Sequence, residues 1–170
     1  MYNRNEMALI KQDFWTSFGK YMLPVQSAVD EKINWINYKT GIKGIFFKMN
    51  AGKDAASLSI QMTGEKLQRE KFFERMIQFR ALFESTVPGE WIWVKEKLDE
   101  NGRSISVIET ILAGVNVYDK NDWPAIISFL KPAITALDEF WTSVKDFFEM
   151  VLPNPEVPPY VQCLNSCFLC

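Results

Sequence analysis

Two glutamates, Glu96 and Glu109, stand on neighbouring segments that alternate apolar and polar residues. Carboxylates brought side by side on one strand face can share a proton or hold a divalent ion. Strand glutamates paired with a lysine or arginine from a helix are the plainer reading. The other face of the same segments carries Trp91, Trp93, Lys95 and Lys97. Aromatic rings followed by cations suit the bases and phosphates of single-stranded nucleic acid. Ile108 and Leu112 share that face, however, and so the tryptophans also read as packed beneath a helix. A third group, Asn34, Trp35, Asn37, Tyr38 and Lys39, followed by Thr40, is polar and aromatic where a strand near the core is expected. It either lines a ligand groove or satisfies backbone groups at a strand end and turn. This is the preferred place for a site.

Cys163, Cys167 and Cys170 are the only cysteines, and all lie at the end of the chain. Their spacing is similar to the cluster-binding run of radical enzymes that use S-adenosylmethionine, but there the run precedes a barrel. Cys167-Phe168-Leu169-Cys170 has the shape of a prenylation box. No polybasic segment precedes it, and one lipid alone anchors weakly. A modified C-terminal peptide carried by the rest of the chain is a third reading, and an extension without a role a fourth. No cofactor is expected, neither a divalent metal nor an iron–sulfur cluster.

Composition narrows the chemistry further. Histidine is absent, which removes histidine triads, histidine metal sites and histidine pH switches. Lys+Arg 19 against Asp+Glu 21 leaves a net charge of −2, so the surface as a whole has no basic footprint for nucleic acid or membrane. With 170 residues, 48% of them hydrophobic, the chain suits one folded unit with an aromatic-rich core. No run is long enough to span a membrane, no signal peptide is evident, and the cysteine-free body fits the cytoplasm.

The positioning elements follow from periodicity. Met7, Ile10, Phe14, Phe18 and Tyr21 predict a helix from Asn5 to Met22, stopped by Pro24. Lys32 to Lys39 reads as a first strand, ended by the Thr40-Gly41 turn. Ile45–Asn50 and Ala56–Thr63 read as a hairpin. In its second strand Ala56, Leu58, Ile60 and Met62 face one way, and Ser57, Ser59, Gln61 and Thr63 the other. A helix is predicted from Glu65 to Ser85. Trp91–Asp99 and Arg103–Leu112 form a second hairpin about Asn101-Gly102, the preferred centre of a two-residue type I′ turn. That register sets Leu98 opposite Ile105, Glu96 opposite Val107 and Ile92 opposite Ile111. Asp119 to Asp122 caps a long last helix with Pro124 in its first turn, and Pro132 predicts a kink or break within it. From Leu152 the chain turns proline-rich, so residues 1–151 are expected to form the folded unit and 152–170 a tail. The order is helix, three strands, helix, two-stranded hairpin and long C-terminal helix. It is an α+β arrangement, a mainly antiparallel sheet covered by helices.

Several strings carry a resemblance. These are Phe14-Trp15-Thr16 with Phe18-Gly19, the run from Lys32 to Gly41, Glu90-Trp91-Ile92-Trp93, Asp122-Trp123-Pro124, and Leu137-Asp138-Glu139-Phe140-Trp141. Over about residues 1–150 they resemble an uncharacterised bacterial domain family of unknown function, found alone or C-terminal to nuclease-like regions. The resemblance implies no active-site residues. The element order is also similar to the core of restriction-endonuclease-like nucleases, which place an acid on the second core strand and an acid-x-lysine on the third. Here the third-strand position reads Gln61-Met62-Thr63, and the second strand offers Lys48 and Asn50.

The leading expectation is a non-catalytic interaction module for a protein or nucleic-acid partner, and a homodimer is compatible with it. A diverged nuclease-like enzyme of defence or repair is the alternative, and a carrier of a modified Cys-rich peptide the third.

Overall fold

A computed structural model describes residues 3–152. The C-terminal cysteines and their tail lie outside the described residues. The elements run α1 (Arg4–Met22), β1 (Ile45–Ala51), β2 (Ala55–Met62), α2 (Lys66–Gln78), α3 (Arg80–Thr86), β3 (Ile92–Leu98), β4 (Ser104–Ala113), a 3₁₀ turn (Lys120–Asp122) and α4 (Trp123–Glu149). The fold is α+β, with one antiparallel sheet in the order β1-β2-β4-β3. Two hairpins meet along β2 and β4, joined through α2 and α3. Among the described residues no helix is long and apolar enough to cross a membrane.

The alternation in β2 has its expected consequence. Leu58, Ile60 and Met62 are fully buried against the helices. Their register partners, Phe47 on β1 and Ile108 on β4, turn to the same side. Helix α4 crosses β2, and α2 lies over β2 and β4. The opposite face carries Lys48, Asn50, Ser57, Ser59, Gln61 and Glu109.

Helix α1 begins with a reciprocal cap. The Glu6 N–H donates to Asn3 Oδ1 at 2.9 Å, and the Asn3 N–H donates to Glu6 Oε2 at 2.8 Å. Its buried Phe14 and Phe18 reach the core, where Phe14 meets Trp123 edge-on at 5.5 Å. Aromatic rings then connect the layers. Tyr38 stacks on Phe47 at 4.9 Å, Phe47 meets Trp141 at 5.5 Å, and Trp141 meets Phe148 at 5.0 Å.

Four expectations change. The predicted strand at Lys32–Lys39 does not form. Asn34 Oδ1 accepts from the Asn37 N–H at 3.1 Å and turns the chain there, while Trp35 Nε1 donates to the Val25 carbonyl at 3.1 Å. The predicted helix over Glu65–Ser85 is two helices. Phe79 leaves helical geometry at φ −96°, ψ 9°, and packs on Phe147 and Phe148 of α4, while Phe83 turns to Trp91, Trp93 and Phe140.

The second hairpin has a three-residue loop rather than a type I′ turn. The Gly102 N–H donates to the Asp99 carbonyl, the Asp99 N–H to the Arg103 carbonyl, and Gly102 takes φ +74°. Leu98 therefore faces Ser104, and a bulge between Val94 and Lys97 moves Ile92 opposite Glu109. Finally, Pro132 does not break α4. Leu130, Ile134, Leu137 and Trp141 are buried on both sides of it, so core packing outweighs the one backbone hydrogen bond that proline removes.

Candidate functional site

Asn34, Asn37, Tyr38 and Lys39 come together on one wall of a cavity of about 480 Å³. The facing wall is α4, through Asp138, Trp141, Thr142 and Lys145. The segment 32–40 has no regular structure, yet its side chains alternate between anchors and displayed groups. Trp35 and Thr40 are buried, whereas Asn34, Asn37 and Lys39 are exposed. Trp35 is bonded to the Val25 carbonyl and belongs to the core rather than to this cavity. Thr40 Oγ1 donates to the Ile45 carbonyl at 2.7 Å and accepts from the Ile42 N–H. The Thr40 carbonyl in turn accepts from Trp141 Nε1 at 2.8 Å.

Tyr38 is the half-buried link. Its phenol donates to Asp138 Oδ1 at 2.5 Å, and the Ala28 N–H donates to Asp138 Oδ2 at 2.7 Å. Burial first, then the hydrogen bond to and the charge of Asp138, push the Tyr38 phenol well above its ordinary range. The phenol is therefore a persistent donor rather than a base. Asp138 is 4% exposed, so a charged acceptor is held inside by two donors. Lys39 and Lys145 supply amines at the rim, and neither makes an ion pair among the described residues. Glu31 and Asp146 line the same cavity, so it offers hydrogen-bonding groups and charges of both signs.

Asp138 and Lys145 escape a reading by segments because they come from the far end of the chain. A signal for Asp138 exists nonetheless. It falls four residues after Ile134 and three before Trp141, on the buried stripe of α4, where a carboxylate needs partners.

The other sequence-derived groups separate. Trp91 and Trp93 pack edge-on to Phe83 at 5.1 and 5.5 Å beneath the helices, and Arg80 lies over Trp93 at 5.0 Å. Lys95 pairs with Glu70 at 3.7 Å. Across the bulge, Lys97 turns to the open sheet face and pairs with Glu109 at 2.7 Å. The four residues thus do not form one stripe. Nor do Glu96 and Glu109 form a pair. Glu96 lies at the bulge, 3.7 Å from the guanidinium of buried Arg69, whereas Glu109 sits opposite Ile92. Among the described residues no three of Cys, Asp or Glu gather closely enough to hold a metal ion.

A family model described as a domain of unknown function, DUF4268, matches residues 10–145. The chain belongs to the DUF4268 family. No curated protein matches this DUF4268 chain, and no solved structure does. The matched region includes both walls of the Tyr38–Asp138 cavity.

Proposed function

We propose that this DUF4268 chain is a non-catalytic interaction module that binds a protein partner through the 34–40 loop. The observation that carries the reading is the alternation within the loop. Buried Trp35 and Thr40, the Asn34 turn and the Tyr38–Asp138 bond hold the backbone, while the side chains of Asn37 and Lys39 are exposed. A rigid scaffold under displayed polar groups limits the entropy lost on binding. The charges of the second hairpin speak against a nucleic-acid surface there. Lys95, Lys97 and Arg103 of the second hairpin, which would be its phosphate contacts, are each within ion-pair distance of a carboxylate.

The test is affinity capture from the native host with the full chain, in parallel with an Asn37→Ala, Lys39→Ala variant, which leaves the Asn34 turn in place. The reading expects a protein enriched by the native chain and lost from the variant, with both chains melting at similar temperatures. Equal capture by both chains refutes the loop as the contact. Salt-sensitive binding of DNA or RNA, with turnover on adding Mg²⁺, would instead establish the nuclease alternative.

A further inference from the structure

The outer edge of β1 pairs with no other strand among the described residues. Antiparallel bonds join every second residue pair. The Thr63 N–H donates to the Gly44 carbonyl, and the Gly52 N–H to the Ala55 carbonyl, both at 2.8 Å. By that parity Phe46, Lys48 and Asn50 exchange bonds with β2, and the backbone groups of Ile45, Phe47 and Met49 point away from it. Ile45 confirms the parity. Its N–H donates to the Ile42 carbonyl, and its carbonyl accepts from Thr40 Oγ1. Beyond that point, nothing among the described residues bonds to the outward N–H and C=O groups of Phe47 and Met49.

Those groups border a groove of about 470 Å³ between β1 and the 36–39 segment. Trp15 and Ile36 give it an apolar floor. Lys39 and Lys48 supply charge, and among the described residues no carboxylate lines it. Lys48 is exposed on the open sheet face, beside a Phe46 that is 45% exposed.

We infer that β1 accepts an added strand, an extended segment of a partner protein in which acidic residues alternate with apolar ones. The inference rests on the protein-partner reading and names the partner's chemistry. The partner's backbone pairs with Phe47 and Met49, as strand addition requires. Because side chains alternate, its apolar residues enter the Trp15–Ile36 side and its carboxylates lie beside Lys48. The Lys39 amine at the rim strengthens the same preference.

The test uses the full chain against a displayed library of random peptides of about ten residues, a length that spans one strand. Enriched sequences are expected to alternate acidic and apolar residues. Two variants then separate the contacts. Met49→Pro removes an outward N–H that the ladder does not use, a substitution edge strands tolerate. Lys48→Glu reverses the charge and leaves the backbone intact. Met49→Pro is expected to weaken the selected peptides by about tenfold, the loss of one hydrogen bond, and Lys48→Glu by about fivefold, because it turns a cross-strand attraction into a repulsion. No enrichment, enrichment without acidic residues, or binding within about twofold of native in a folded Lys48→Glu protein overturns the inference. If native-host capture depends on Asn37 but not on Lys48 and Met49, the edge strand is refuted while the partner-binding reading stands.

Discussion

Tyr38 donates its phenol to Asp138 at 2.5 Å across one hundred residues of sequence. This bond ties a loop without regular structure to the longest helix, and it forms one corner of the cavity. Phe47 stacks on the same tyrosine, so the sheet also depends on where the loop sits.

Replacing Tyr38 with Phe keeps the ring and removes the donor. Asp138 is then left with the Ala28 N–H alone. Leaving a buried charged acceptor short of a donor costs about 1–3 kcal/mol, which urea unfolding at neutral pH would read directly.

The same pair sets an alkaline limit. The raised phenol pKa means that the unfolded chain releases this proton more readily than the folded one. The stability it contributes is complete below the ordinary tyrosine value of 10.0 and falls as pH rises above it. Unfolding free energy measured through that range should decline more steeply in the native chain than in the Tyr38→Phe variant.

Asp99 titrates in the opposite direction. The Arg103 N–H foremost, with the Asn101 N–H and the Arg103 side chain, holds its carboxyl below the usual range. Its contribution is present above the unfolded carboxylate range and is lost as pH falls through the folded value. Carboxyl NMR titration should place its midpoint below that of an unstructured aspartate, and an Arg103→Ala variant should raise it.

Phe83 gives a packing test. It is fully buried against Trp91, Trp93 and Phe140, which join α3, the second hairpin and α4. Truncation to Ala is expected to cost about 3–5 kcal/mol, since a cavity remains where three rings met. Chemical denaturation would measure it.

At Glu109 a small effect is expected. Glu109→Gln removes the partner of Lys97, an ion pair whose lysine is half exposed. The loss should be no more than about 1 kcal/mol in denaturation, because solvent screens such pairs. A larger loss would point to a role for Glu109 beyond this pair.

Residue order alone determined the α+β class, the two hairpins and the helices at either end. Each depends on local periodicity and on caps such as Asn3 with Glu6. The same reading singled out the 34–40 segment, because its polar and aromatic residues do not suit a core strand. Tertiary structure decided the rest. Asn34 and Trp35 made that segment an anchored loop, since a side-chain turn and a distant carbonyl competed successfully with strand pairing. The bulge between Val94 and Lys97 parted Glu96 from Glu109 and the tryptophans from Lys97, because one extra residue turns every later side chain to the other face. Asp138 joined Tyr38 only when α4 packed across the sheet. A contact between residues so far apart in sequence has no local signature, and it is fixed by how the buried faces of helix and sheet fit together.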